Sequence, residues 1–305
     1  MREQPVTPAS DAAPARDMSG LYAGLGAYLL WGLMPVYLKL FEGIGAAAVL
    51  AHRVFWSAIL LAAVTLILRK TPALLRALKN VKLLLWLLFS ATMIGLNWYL
   101  YTWAVLNERV LDTSLGYFIQ PILNTALGVI LLGETMGKWR IASTILALAG
   151  IALMTVANGG LPLISLGLAL AFALYSYARN RADVDALTGL FIETAFLAPV
   201  ALWWLEIHGG GIFSQAPTMT LLLIGSGIAT SIPLALFGHA ARRVTLTTLG
   251  FMQYIAPSTV FLLGAFVYDE PLSASRLGAF ALIWLGLLVF SIGGFRRRQR
   301  LAKAG

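Results

Sequence analysis

The polar side chains in this sequence that could bind or hold something lie inside long apolar runs. Arg53 and Glu193 are formal charges within two such runs, and Lys39 sits near the end of another. Amides and phenols accompany them: Asn97 with Tyr101, then Tyr117, Gln120 and Asn124, then Gln253 with Tyr254. Tyr117, Gln120 and Asn124 are spaced by three and four, so a helix carries all three on one face, and Asn97 shares a face with Tyr101. Trp31 and Tyr175 add aromatic surface close to the basic ends of their runs. Such groups can hydrogen-bond and orient an amphipathic or aromatic ligand in a cavity. The same groups can also serve interhelical hydrogen bonding and interfacial anchoring.

A charge in hydrocarbon costs roughly 2.5 kcal/mol or more unless it is paired or hydrated. Arg53 therefore needs a partner. Glu193 occupies nearly the corresponding place in the second half of the chain, so the two either pair with each other or meet backbone carbonyls or headgroups at their own ends. Lys39 either snorkels or attracts an anionic substrate. Pro35, Pro121 and Pro257 fall inside apolar runs, where proline frees a carbonyl and permits a bend that can act as a gate, a hinge or a static kink. Arg179 reads as a marker of topology, and Glu134 and Glu270 as caps beside the N-termini of the helices that follow them.

Other chemistry is not provided for. There are no cysteines, hence no disulfides, thiol nucleophiles or Cys-based metal sites. The sequence lacks a phosphate-binding G-x-x-x-x-G-K-S/T loop, an H-E-x-x-H pair, an Asp-rich diphosphate site and a nucleophile elbow. No enzymatic activity, cofactor or metal is expected.

The elements that position these residues are membrane spans. Hydrophobic residues make up 59% of the 305-residue chain and charged ones 11%, against about a quarter charged in a soluble domain. Runs of about 17 to 25 apolar residues predict ten spans: 21–41, 45–68, 82–105, 111–132, 138–157, 162–179, 186–207, 218–241, 245–268 and 273–293. The net charge of +9 sits in short clusters between the runs rather than on a basic face with interleaved aromatics, so nucleic acid is not an expected partner. With the N-terminus inside, every Lys and Arg except Lys39, Arg53, Arg109 and Arg276 falls on the cytoplasmic side, which predicts both termini inside. Residues 1–19 read as a disordered cytoplasmic tail and 295–305 as a basic cytoplasmic tail.

One stretch recurs. Arg109 to Glu134 returns as Arg243 to Glu270: Pro121 matches Pro257, Gly128 matches Gly264, Arg140 matches Arg276 and Gly150 matches Gly286 at one offset, while Arg109 with Arg243 and Gly116 with Gly250 register two residues shorter. Glycine- and proline-interrupted apolar segments in corresponding positions of two halves point to a transporter's binding site. Repeats of five spans must insert oppositely, so residues 20–157 and 162–294 are expected to form two inverted repeats about a midplane cavity. The two-residue slip turns polar side chains by about 200° round a helix, so the half-sites should differ in chemistry.

These residues also carry a family resemblance. The chain resembles the EamA family of the drug/metabolite transporter superfamily, RarD-type, in Y-L-L-W-G-L-M-P-V-Y-L-K (28–39), A-H-R-V-F-W-S (51–57), N-W-Y-L-Y-T-W-A-V (97–105), S-L-G-Y-F-I-Q-P (114–121) with L-G-E (132–134), and T-L-G-F-M-Q-Y-I-A-P-S (248–258). The resemblance implies an all-α polytopic membrane protein of ten transmembrane helices in two inverted five-helix repeats, with the first, third and fourth helices of each lining the cavity. The expected function is secondary transport, as an exporter of small amphipathic metabolites or drugs across a bacterial inner membrane, with a small-molecule substrate and the lipid bilayer as partners. The alternatives are a polytopic enzyme acting on lipid and a non-transporting membrane sensor or chaperone. The substrate, coupling ion and oligomeric state are not legible.

Overall fold

A computed structural model describes residues 18–132, 137–208, 212–213, 215–241, 243–244 and 246–304. All its regular elements are helices. In chain order they are α1 (Met18–Gly32), α2 (Met34–Lys39), α3 (Ala46–Ile67), α4 (Thr71–Leu78), α5 (Val81–Leu106), α6 (Val110–Leu132), α7 (Lys138–Asn158), α8 (Leu163–Arg181), α9 (Ala186–His208), α10 (Pro217–Ala241), α11 (Leu246–Met252), α12 (Ile255–Phe266) and α13 (Ala274–Ala304). Among the described residues seven stretches are long and apolar enough to cross a membrane: α1 with α2, then α3, α5, α7, α9, α10 and α13. The three predicted spans outside that set are helical too, as α6, α8 and the pair α11 and α12. They carry interruptions: Asp112, Gln120 and Asn124 in α6, Arg179 and Arg181 at the end of α8, and a break between α11 and α12. Large apolar side chains such as Ile67, Ile130 and Val156 point outward, as they do on a protein whose solvent is lipid.

Helices of the two halves of the chain pack in pairs. Helix α7 lies along α13, α3 along α9, and α6 along α12. The remaining neighbours come in matched sets: α8 packs on α5 and α6, as α1 packs on α10 and α12. The α7/α13 contact is reciprocal residue by residue. A Cβ on Gly150 would lie 3.0 Å from the carbonyl oxygen of Ala279, and one on Gly286 would lie 3.0 Å from that of Ser143. Both partners shift by the same offset as the glycines, which is the signature of a twofold, isologous contact. Small residues at such a crossing let backbones approach where lipid supplies no hydrophobic drive.

Charged and aromatic side chains meet at the helix ends. Lys70 lies 3.7 Å from Asp185, and Arg296 stacks 5.1 Å from the Trp139 ring. All four were expected on the inner side. Lys39 lies 3.2 Å from Glu42 and 5.4 Å from the Tyr268 ring, near the opposite ends. Asp269, with φ 49°, turns the chain sharply after α12. That turn points Glu270 back at the bundle.

Candidate functional site

Arg53 follows about seven residues, or ~10 Å, from the start of α3, and its side chain is 6% exposed. Its Nε donates to Thr230 Oγ1 at 2.8 Å, and Thr230 in turn donates to the Ser226 carbonyl at 2.9 Å, leaving the hydroxyl lone pair for Arg53. The guanidinium carbon stands 5.0 Å from the Trp98 ring centroid, within cation–π range. Nη1 is buried without a hydrogen-bond partner. The hydroxyls of Tyr37, Tyr101 and Tyr117 lie within electrostatic reach of the charge. Among the described residues no carboxylate comes within ion-pair distance of it.

Asn97 is fully buried on α5. Its Nδ2 donates to the Leu168 carbonyl on α8 at 3.0 Å, and its Oδ1 accepts from Tyr117 Oη on α6 at 3.1 Å. Tyr101 packs against Tyr117 with centroids 5.8 Å apart, and rings continue through Phe172 to Tyr175 at spacings of 6.1 and 5.5 Å. Tyr37 donates to the Leu222 carbonyl on α10. The structure thus gathers Asn97, Tyr101, Tyr117, Tyr175 and Arg53 from α3, α5, α6 and α8 into one polar, aromatic seam.

Glu193 does not pair with Arg53. Its Oε1 accepts from Ser90 Oγ at 2.5 Å and stands 3.6 Å from Arg179 Nη1, while Oε2 is buried without a partner. Arg179 is therefore more than a topology marker: its side chain is largely buried against the acid. Gly189, one turn before Glu193 on α9, makes this possible. A Cβ there would fall 1.8 Å from Arg179 Nη1. Lys39 is held by Glu42 and Tyr268 rather than turned toward the seam.

A second polar cluster was not anticipated. Asp112, 3% exposed in the first turn of α6, accepts from Arg109 Nε at 2.7 Å and from Arg276 Nη2 at 3.2 Å. Beside it, Glu270 accepts from the amides of Val110 and of Leu111, the latter at 2.9 Å. Glu270 was expected to serve the helix that follows it, α13. It caps α6 instead, because the bundle brings the two halves' helix ends together. Burial pushes the Glu270 carboxyl above the usual carboxylate range, against the pull of the two amides and Arg276. Ser165 Oγ donates to the Asp112 carbonyl at 2.8 Å and Ser114 Oγ to that of Pro257 at 2.8 Å, tying α8 and α12 to the same helix. The mate expected for Glu270, Glu134, lies outside the described residues.

The other predicted residues stand apart from the seam. Trp31 packs with Tyr28 and Phe237, at 5.4 and 5.8 Å. Gln120 and Asn124 are half-buried on α6. Gln253 and Tyr254 lie at the break between α11 and α12. Tyr254 also lines a cleft of about 500 Å³ with Phe118, Phe251, Phe261 and Trp284. Pro35 follows the interruption between α1 and α2. Pro121 lies inside an unbroken α6, and Pro257 in the first turn of α12, where a missing N–H costs nothing. Thr230, Ser90 and Phe172 were not singled out in advance, since single hydroxyls and phenylalanines in apolar runs carry no pattern.

A multi-pass helical bundle with a buried, aromatic-lined polar seam has the make-up of a membrane transporter. The EamA-like transporter family model matches residues 18–156. The chain is 40% identical over 297 residues to Protein RarD of Escherichia coli, covering 96% of this chain and all of that one. It is 41% identical over 298 residues to an uncharacterized transporter of Pseudomonas aeruginosa, again covering 96% and 100%. A protein of the same organism called chloramphenicol-sensitive protein RarD is 29% identical over 293 residues, covering 94% and 98%. The chain belongs to the EamA-like transporter family. A crystal structure 20% identical to it superposes with a TM-score of 0.54, covering 91% of this chain and 98% of that one, a likeness of fold.

Proposed function

We propose that this protein is a secondary transporter that exports small amphipathic metabolites or drugs across a bacterial inner membrane by alternating access. In this reading residues 20–157 and 162–294 are inverted five-helix repeats, both termini are cytoplasmic, and the substrate meets the seam between them. The observation that carries it is the buried Asn97, Tyr117 and Tyr101 cluster beside Arg53, polar side chains that a static bundle would replace with apolar ones at little cost. The reciprocal glycines of α7 and α13 support the repeat, and the matching helix ends support the topology. The curated relatives called transporters support the class, and the one called chloramphenicol-sensitive makes that drug a reasonable member of a test panel.

Purified protein in liposomes loaded with a broad panel of metabolites and drugs should release or exchange at least one of them specifically. No specific flux with any would remove transport and favour a sensor or a lipid-directed enzyme. Asn97→Ala and Tyr117→Phe should alter that flux with expression intact; wild-type transport in both would remove the cavity assignment. Cysteines placed at Glu42 and Lys79, in a chain with none of its own, should label from opposite sides with an impermeant thiol reagent. Labelling of both from one side would overturn the topology.

A further inference from the structure

Arg53 is the unusual group in the seam. Buried arginines in membrane proteins are matched by carboxylates or by carbonyls that use the whole fork of donors. Among the described residues its one hydrogen bond is from Nε to Thr230, Trp98 offers a ring face, and Nη1 is buried and unpartnered. The phenols of Tyr37, Tyr101 and Tyr117 lie within electrostatic reach of the charge. The intramembrane carboxylate that could have answered it, Glu193, is engaged by Arg179 and Ser90. The seam therefore holds a net positive charge with donor capacity to spare and aromatic walls.

We propose that Arg53 is the anchor of an anion site, and that the transported ligand is a small organic monoanion: a carboxylate joined to an apolar or aromatic body. The proposal rests on the transporter reading above and names its substrate class. A carboxylate is planar and matches the free edge of a guanidinium. Trp98, Tyr101 and Tyr117 would receive the apolar body, and the Tyr101 hydroxyl would donate to the second carboxylate oxygen, since the Tyr117 and Tyr37 protons are already given to Asn97 and to the Leu222 carbonyl. One guanidinium neutralises one charge, and no second free cation faces it among the described residues, which disfavours a phosphate dianion. No free carboxylate faces it either, so the ammonium of an amino acid would be buried beside a like charge. The site thus selects a plain monoanion over a zwitterion or a cation.

The test uses the full chain in detergent and four probes on one skeleton: 3-phenylpropionate, 3-phenylpropanol, 3-phenylpropylamine and phenylalanine. Binding is read from quenching of tryptophan fluorescence and from the shift in thermal unfolding. The anion is expected to bind at least tenfold more tightly than the alcohol, the amine or the amino acid. Arg53→Gln should remove that preference and Arg53→Lys should keep part of it. Equal binding of anion and alcohol by the wild-type protein would overturn the site without needing any variant to fold, and so would undiminished anion preference in Arg53→Gln. Liposome flux separates the two readings. Flux confined to neutral or cationic compounds would leave transport standing and remove the anion site, whereas Arg53-dependent anion binding with no flux of any compound would keep the site and remove transport.

Discussion

The two copies of the repeated stretch meet the same task differently. In the first, α6 runs unbroken from Val110 to Leu132 through Pro121. In the second, the chain stops at Met252, restarts at Ile255, and places Pro257 in the new first turn. The two extra residues that separate the copies' registers coincide with this interruption. The unbroken copy contributes Tyr117 to the seam and is capped by Glu270; the broken one contributes Gln253 and Tyr254 to the turn itself. A continuous helix holds side chains at fixed angles. An interrupted one exposes backbone groups and can bend where it is cut, as half-helices of transporters do.

Removing Gln253 and Tyr254 should be the most damaging change. It would swing α12 by about 200° relative to α11 and turn Val260, Phe261 and Gly264 out of their buried positions. The expected outcome is loss of the monodisperse peak on size-exclusion chromatography. Retention of a folded, active protein would mean that the break does not set the second copy apart. Next comes the contact the copies share. Gly150→Leu and Gly286→Leu should each lower stability by about 3 kcal/mol through overpacking, and by similar amounts, because each glycine faces a carbonyl at 3.0 Å. A large inequality in thermal unfolding would break the symmetry claimed for α7 and α13.

Glu270→Ala would strip the cap from the unbroken copy and leave two buried amides without acceptors, costing ~2 kcal/mol. Glu270→Gln should recover part of that, which a stability series reads directly. The smallest effect is expected at the α8 to α9 corner. Burial raises the Asp185 carboxyl, but the Thr188 hydroxyl and amide, together with Lys70, outweigh it and hold the pKa below its usual value. A depressed carboxylate stabilises the fold above the ordinary carboxylate range and loses that contribution as pH falls through it. The wild-type protein should therefore lose some thermal stability on acidification through that range. Asp185→Ala, which removes the cap of α9 at a cost of ~1 kcal/mol, should show a flatter acid limb.

What the sequence revealed and what it hid follow from the reach of periodicity. Three- and four-residue spacing placed Asn97 with Tyr101 and Tyr117 with Gln120 on shared faces, and the first pair does enter the seam. Spacing does not say which helix a face meets. The bond from Tyr117 to Asn97 and the tie from Arg53 to Thr230, 177 residues away, were invisible for that reason. The guess that Arg53 meets Glu193 used symmetry of position, whereas Arg179 reaches Glu193 through a notch that only Gly189 leaves open. Glu270 was legible as a cap, but its helix was not, since capping partners here come from the other half of the chain. The register slip is visible in the sequence as an offset; that the helix stops there shows in the hydrogen bonding, where the Tyr254 amide donates to the carbonyl of Phe251, three residues back, although its own dihedrals stay helical.

The reciprocal crossing of α7 and α13 gives the molecule a property usually found only in homodimers. Two identical subunits would display every feature twice, so a damaged interface is damaged on both sides and a useful asymmetry can never arise on one. Here both sides of a self-complementary contact are written into a single chain. Gly150 and Gly286 can stay alike where the fit demands it, while one copy keeps its helix whole and the other breaks it.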